Sequence, residues 1–441
     1  MKSENRLAKG PAGGERLTAE AKYRLLLDLS RKVRGTLDLG ETLDRLLESV
    51  RSIVDYDAAG IFVLNEDVFS GQRRRELIAG VARRGFEERP PGTDPMLSRG
   101  MGIVGHVIRT GECVVAPDVR IDPRYVVGRP STLSEIAVPV TVGERTVGAL
   151  NLESDRRGAY GEAHLDALRF FADAASVAID KAMLHRSLLE KQQLDAQLRL
   201  AHQVQSRLLP QAPPSVPGWD IAAVYIPSWE LAGDYFDILP LAGGKVGLVI
   251  ADVAGKGVPA ALIMATFRAL LRAHVASGAA VPRLAADLNR LLRAECRPHG
   301  FVTCFLAELD PANGRVTYTN CGHVPPLLVT PSGGNRELSE GGPVLGVFEN
   351  AAYGAREVTL EPGEALVLHT DGVVEARRPD GEELGCERLR ALVRAGLPRG
   401  ARAAANDVVT AARDFTGAPG FEDDFTLVVV SRGGVVHGVR S

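Results

Sequence analysis

From about Ala163 to Leu209 the chain contains neither glycine nor proline, and it then runs into "LLPQAPPSVPG". Glycine and proline are the residues that most often interrupt a helix, so their absence over so long a stretch predicts one continuous helix. The proline-rich segment then forces it to stop, because proline cannot continue the helical hydrogen-bond ladder. This constrains the fold strongly. Whatever precedes the helix and whatever follows the breaker must form separate cores. Near the helix end, Leu194, Leu198, Ala201, Val204 and Leu208 recur at spacings of three and four and make one narrow apolar stripe. Such a stripe suits a coiled-coil seam between two chains, and equally a helix packed on its own domain.

With 441 residues, the chain has room for two or three ordinary domains. Lys plus Arg number 52 against 55 Asp plus Glu, a net charge of −3, which argues against a nucleic-acid or anionic-membrane surface as partner. The five cysteines (Cys113, Cys296, Cys304, Cys321 and Cys386) are scattered and form no CxxC pair. They read as reduced thiols of a cytoplasmic protein rather than a disulfide frame or a zinc site. The charged first residues show no signal peptide, and no run of about 18 apolar residues predicts a membrane span. Residues 1–17 read as a disordered tail, 18–185 as a first domain, 186–210 as a helical linker and 219–432 as a second domain. The fold class expected is α+β.

In the first domain a helical pattern, with Thr18 or Asp38 as candidate caps, leads into the strand "AAGIFVLN". "VPVTVGERTVGALNLES" then reads as a hairpin turning at Gly143 and Glu144. The element order, together with "GIVGHVIRTGECVVAPDV", "AVPVTVGERTVGALNLES" and "HLDALRFFADAASVAI", resembles a GAF domain. The resemblance implies a small regulatory module around one antiparallel sheet, often dimeric, which binds a small molecule or another protein. It does not name the ligand. His106, beside Gly105, reads as structural rather than as a haem ligand.

After Trp219 short β-runs dominate, and carboxylates recur at their ends: Asp234 in "LAGDYFDILP", Asp252 closing "GLVIAD", Asp371 closing "EALVLHTD", and Asp423 and Asp424 opening "DDFTLVVV". Strand ends at one rim of a sandwich can bring such acids together. Gathered carboxylates repel one another unless a cation neutralises them, and all-oxygen ligation suits Mg²⁺ or Mn²⁺. Two such ions about 3.5–4 Å apart can clamp a phosphoryl group. Asp234 and Asp237 lie three apart on a strand, so they must point to opposite faces.

The motifs "AGDYFD", "IADVAGKGVPAALIMA", "TNCGHVPPLLV", "GGPVLGVF", "LHTDGVVEARRPDGEELG" and "DDFTLVVV" stand in the order of the PPM superfamily of metal-dependent serine/threonine phosphatases, and residues 219–432 resemble its SpoIIE-like branch. The resemblance implies two Mn²⁺ or Mg²⁺ ions bridged by Asp252. Asp234, the Val253 carbonyl, Asp371 and Asp424 would complete the ligands, and a metal-bridging hydroxide would attack phosphorus. It further implies a phospho-Ser or phospho-Thr protein as substrate, with STAS-domain regulators as the substrates seen in this architecture. Homodimerisation through the first domain and linker is also expected. The helix "VPAALIMATFRALLRAHVAS" is apolar nearly all round and is expected to be buried; in this branch the corresponding helices switch the metal site. Where some relatives place a His two residues after the bridging Asp, this chain has Ala254, so the leaving-group proton would come from water. Lys256 is a candidate substrate contact, and Asp237, Asp423 and His323 are left without a role. Two rival readings remain: a catalytically silent scaffold, and a metal-dependent hydrolase of a small phosphoester.

Overall fold

The computed structural model describes residues 38–64, 77–86, 97–98, 101–276, 278–295 and 300–433. The tail read over 1–17, and the candidate cap Thr18, lie outside them. The chain divides into two compact units, Met1–Gln193 and Leu194–Ser441.

The first unit is built on an antiparallel sheet. Its elements are α1 (Leu39–Arg51), β1 (Ala58–Leu64), β2 (Leu77–Arg84), β3 (Leu97–Ser98), α2 (Gly102–Thr110), β4 (Val114–Ala116), β5 (Ser134–Val142), β6 (Arg145–Ser154) and the start of α3 (Glu162–Ser206). The strand order is β3-β2-β1-β6-β5-β4. Asp38 caps α1 by accepting from the Glu41 amide at 2.9 Å. β5 and β6 are joined at Gly143, whose φ of 59° needs the freedom of glycine, and Val142 pairs with Arg145 as the hairpin reading requires. On one face of the sheet Ile61, Val63, Val138, Leu150 and Leu152 pack with Leu43 and Leu47 of α1 and Leu168, Phe171 and Ala175 of α3. On the other, Ala137 and Ala149 pack with Ile103, Val107 and Ile108 of α2.

The helix expected from Ala163 forms as α3, 45 residues without a break. Leu184, Leu188, Leu194 and Val204 on it are each more than half exposed.

The second unit continues with β7 (Trp219–Ile226), β8 (Tyr235–Pro240), β9 (Val246–Val253), α4 (Val258–Val275), α5 (Val281–Glu295), β10 (Val302–Asp310), β11 (Arg315–Cys321), β12 (Leu327–Val329), β13 (Asn335–Glu337) and β14 (Gly341–Gly342). It closes with β15 (Arg356–Thr359), β16 (Ala365–His369), α6 (Asp371–Val374), α7 (Gly385–Gly396), α8 (Ala401–Thr416) and β17 (Phe425–Arg432). One sheet runs β14-β11-β10-β9-β8 with β15 on β11, and the other runs β13-β12-β16-β17-β7. Leu248, Ile250 and Phe305 of the first share a core with Leu366, Leu368, Val428 and Val430 of the second, so the sheets pack face to face. α4 and α5 cover the outer face of the first sheet, where Phe267 meets Tyr235 edge to face, and α7 and α8 cover the second sheet through Leu389, Val393 and Val408.

α4 departs from the expectation of full burial. Ala260, Met264, Phe267 and Leu271 are buried, but Val258 and Leu262 are 47% and 65% exposed. A helix apolar on every side does not reveal which side meets the core. Among the described residues α4 is also the one helix long and apolar enough to cross a membrane by length and composition, although its buried face is committed to the outer face of the first sheet.

Candidate active site

The ladder between β8 and β9 decides where the first two acids fall. Tyr235 pairs with Ala251, so one step further along the antiparallel register Asp234 stands across from Asp252. In the other sheet His369 pairs with Leu427, which sets Thr370 beside Thr426 and brings Asp371 to the start of β17. Gly372 makes this approach possible. A Cβ there would lie 2.2 Å from the Asp424 carbonyl oxygen, closer than any side chain allows. Distant strand ends thus meet at one rim of the sandwich.

Asp234 is 1% exposed, and its Oδ2 accepts from the hydroxyls of Thr370, at 2.8 Å, and Thr426. Burial, and next the charge of Asp252, push its carboxyl well above the usual range. Asp252 is pushed up to about 7 by burial and then by the charges of Asp371, Asp423 and Asp424. Asp371 is raised by burial and by Asp423. Asp424 accepts from the amide and hydroxyl of Ser228, at 2.8 and 2.9 Å, and from the Gly233 amide at 2.9 Å. Asp234, Asp252 and Asp371 are each raised by at least one other acid of this rim, and four of the five acids were singled out from the sequence as ligands.

Among the described residues no three His, Cys, Asp or Glu side chains stand close enough together to hold a metal ion. Asp234 and Asp424 are instead engaged by protein hydroxyls and amides. The donor chemistry still fits a hard divalent cation: every donor is oxygen, and burial with mutual repulsion penalises the acids while no cation is near. The buried Tyr225 hydroxyl, within reach of the charges of Asp424 and Asp234, has no hydrogen-bond partner.

Lys256 sits on the turn after β9, ion-paired with Asp423 at 2.9 Å and bonded to the Glu422 carbonyl at 3.1 Å. Gly255 and Gly257, with φ of 106° and 72°, allow that turn. The Lys256–Asp423 pair forms part of the wall of a groove of about 410 Å³, also lined by Gly372, Arg377, Arg378 and Phe421.

Asp237 does not join the rim. It points to the opposite face, as its spacing from Asp234 demands. There it accepts two bonds from Arg272 of α4, at 2.8 and 3.0 Å, and one from the Tyr235 hydroxyl. His323 lies behind the site. Its Nε2–H donates to the His369 carbonyl at 3.2 Å, its Nδ1 accepts from Thr303 at 2.8 Å, and burial holds it neutral, pushed down to about 3.

Thr370, Thr426, Ser228 and Gln205 were missed by sequence reasoning. Thr426 carried a signal, since it lies two residues after Asp424 and so on the same face of β17. Gln205, near the end of α3, donates to the Ala232 carbonyl at 2.8 Å and accepts from the Ala232 amide at 3.2 Å, two residues before Asp234.

Residues 242–433 match the family described as Stage II sporulation protein E (SpoIIE), and residues 36–180 match the GAF domain family. The chain carries a GAF domain followed by a SpoIIE-type PPM phosphatase domain. Protein IcfG of Synechocystis sp. is 30% identical over 222 residues, which are 44% of this chain and 35% of that protein. Phosphoserine phosphatase RsbU of Bacillus subtilis is 28% identical over 246 residues, 55% of this chain and 72% of RsbU. Among solved structures, the RsbU and RsbW domains of Rv1364c from Mycobacterium tuberculosis align with 30% identity over 52% of this chain and 63% of that one, at a TM-score of 0.46. The chain therefore spans about a third of the length of IcfG and most of that of RsbU. Asp252, Asp371, Asp423 and Asp424 lie within the part matched to the SpoIIE family, and Asp234 and Asp237 lie just before it.

Proposed function

We propose that this chain is a metal-dependent protein serine/threonine phosphatase under the control of its GAF domain. The observation that carries the reading is the meeting of Asp234, Asp252, Asp371, Asp423 and Asp424 at one rim, where burial and then the charges of Asp371, Asp423 and Asp424 raise Asp252 to about 7. Asp234, Asp252, the Val253 carbonyl, Asp371 and Asp424 would hold two Mn²⁺ or Mg²⁺ ions. When bound, such ions stabilise charge on a phosphoryl group and acidify water.

The chain's own residues do the positioning. Thr370 and Thr426 fix the rotamer of Asp234, and Ser228 with the Gly233 amide fixes Asp424. Lys256, Arg377 and Arg378 give the groove cationic groups suited to a phosphorylated segment of a protein. With Ala254 where a proton-donating His would stand, the leaving serine or threonine oxygen takes its proton from water.

The substrate proposed is a phosphorylated STAS-domain regulator in the cytoplasm. The exposed leucines of α3 are proposed to pair with those of a second copy. Gln205 gives α3 a direct hold on the segment leading to Asp234, and through it the sensor would act.

The test is phosphate release from a phosphoserine protein by the purified chain. Mn²⁺ or Mg²⁺ is expected to raise the rate at least about 100-fold over chelator. Equal rates with and without metal would overturn the proposal. Inactivity on protein and small phosphoesters alike would leave the silent scaffold.

A further inference from the structure

The GAF unit buries a second group of acids. Glu135 of β5 and Glu153 of β6 are directly opposite each other across the ladder and are 3% and 4% exposed. Like charges in facing positions destabilise a sheet, and buried ones do so strongly. Burial, and then Glu153, push Glu135 up to about 8.

The donors around the pair are few. Asn151 Nδ2 reaches Glu135 at 3.1 Å and Glu153 at 3.4 Å, and the Thr132 hydroxyl donates to Glu153. Arg129, whose charge acts on Glu153, is committed to Asp155 at 2.6 Å. Two carboxylates offer more acceptor positions than these groups fill.

An independent observation points the same way. Asn151 is 1% exposed, and its Oδ1 has no hydrogen-bond partner. The amide cannot be reversed to cure this, because its nitrogen is already needed by both glutamates. The orphan oxygen looks over Gly60, where a Cβ would lie 3.1 Å from it and 2.3 Å from the Phe62 ring. Unfilled acceptors and an aromatic ring therefore share one place, next to Ala137 and Ala149 of the apolar face against α2. Irregular chain rather than sheet runs beside the pair. It carries Tyr125 and Thr132, as well as Gly128, where a Cβ would lie 4.0 Å from Glu153 Oε1.

Without a ligand, a proton held on Glu135 relieves the facing charges; a donor-rich cation would take that proton's place and fill the remaining acceptors, and the ring and alanines suit carbon beside it. We propose that the GAF unit binds a small molecule with a primary ammonium group and an apolar tail, the ammonium seated among Glu135, Glu153 and the Asn151 carbonyl.

The experiment is calorimetry and thermal melting of the full chain with the twenty free L-amino acids, putrescine and agmatine, each beside its counterpart acetylated at every amine. At least one amine is expected to bind with a Kd below about 1 mM and to raise Tm, and its acetylated form is not. An amino acid as the binder and a diamine as the binder both support the site and separate the two sources. Glu135→Gln and Glu153→Gln, made separately, are expected each to weaken binding at least about 10-fold, while raising Tm without ligand at about pH 9, where both carboxylates would otherwise be ionised. If neither variant folds, the acetylation contrast in the unaltered chain decides. Absence of binding across the panel, binding that survives acetylation or both substitutions, or Ca²⁺ or Mg²⁺ binding in place of amines would overturn the proposal.

Discussion

Asp252→Asn is expected to lower phosphate release by at least about 10³-fold and, in the same protein kept in chelator, to raise the melting temperature. The two effects have one cause. In the proposed reading Asp252 is the shared ligand, so its loss removes the group on which both ions depend. Without metal the same carboxylate is a liability, because burial and then Asp371, Asp423 and Asp424 push it up to about 7. For an acid whose folded value exceeds its unfolded value, the folded state binds more protons between the two. The contribution of Asp252 to stability is therefore most favourable below about pH 4 and falls as pH rises through about 7. The gain in Tm on substitution is thus largest at about pH 8 and shrinks at about pH 5. A merely structural Asp252 would show loss of stability on substitution. Activity assays and melting curves at both pH values distinguish the two cases.

Arg272→Ala is expected to destabilise the SpoIIE domain by about 2–3 kcal/mol. Asp237 is 1% exposed and depends on the Arg272 fork, which ties α4 to β8. Removing one partner of a buried pair costs about 3–5 kcal/mol, and the figure is reduced here because the Arg272 side chain is 42% exposed. The Tyr235 hydroxyl and the Ile238 amide, at 3.0 Å, remain to hold the carboxylate. Adding Asp237→Asn to Arg272→Ala is expected to recover more than half of the loss, since no buried charge then lacks its partner. Urea unfolding of the single and double variants gives both numbers.

Local pattern carried much of this molecule. The glycine- and proline-free run became α3, the hairpin turned at Gly143, and the apolar runs after Trp219 became strands with their acids at the ends. The opposition of Asp234 and Asp237 followed from strand alternation alone. Contacts between distant segments were not legible. Arg272 lies 35 positions from Asp237, and Thr370 lies 136 from Asp234. No spacing rule links such residues before the sheets are stacked. The short helix α7 was missed because its buried Leu389 and Val393 make a brief stripe among charged residues. In α4 the apolar pattern was too uniform to point to a face. The pairing of Lys256 with Asp423 likewise appears only when the turn after β9 and the segment leading into β17, which belong to different sheets, meet at the rim.

The central claim is that the rim acids form a divalent-cation site. Titration of the metal-free full chain with Mn²⁺, followed by calorimetry, tests it most directly. The account predicts that the unaltered protein takes up two ions, with a rise in Tm as they bind, and that Asp252→Asn takes up at most one, weakly. Mn²⁺ uptake that is absent, or that is unchanged in Asp252→Asn, would contradict it.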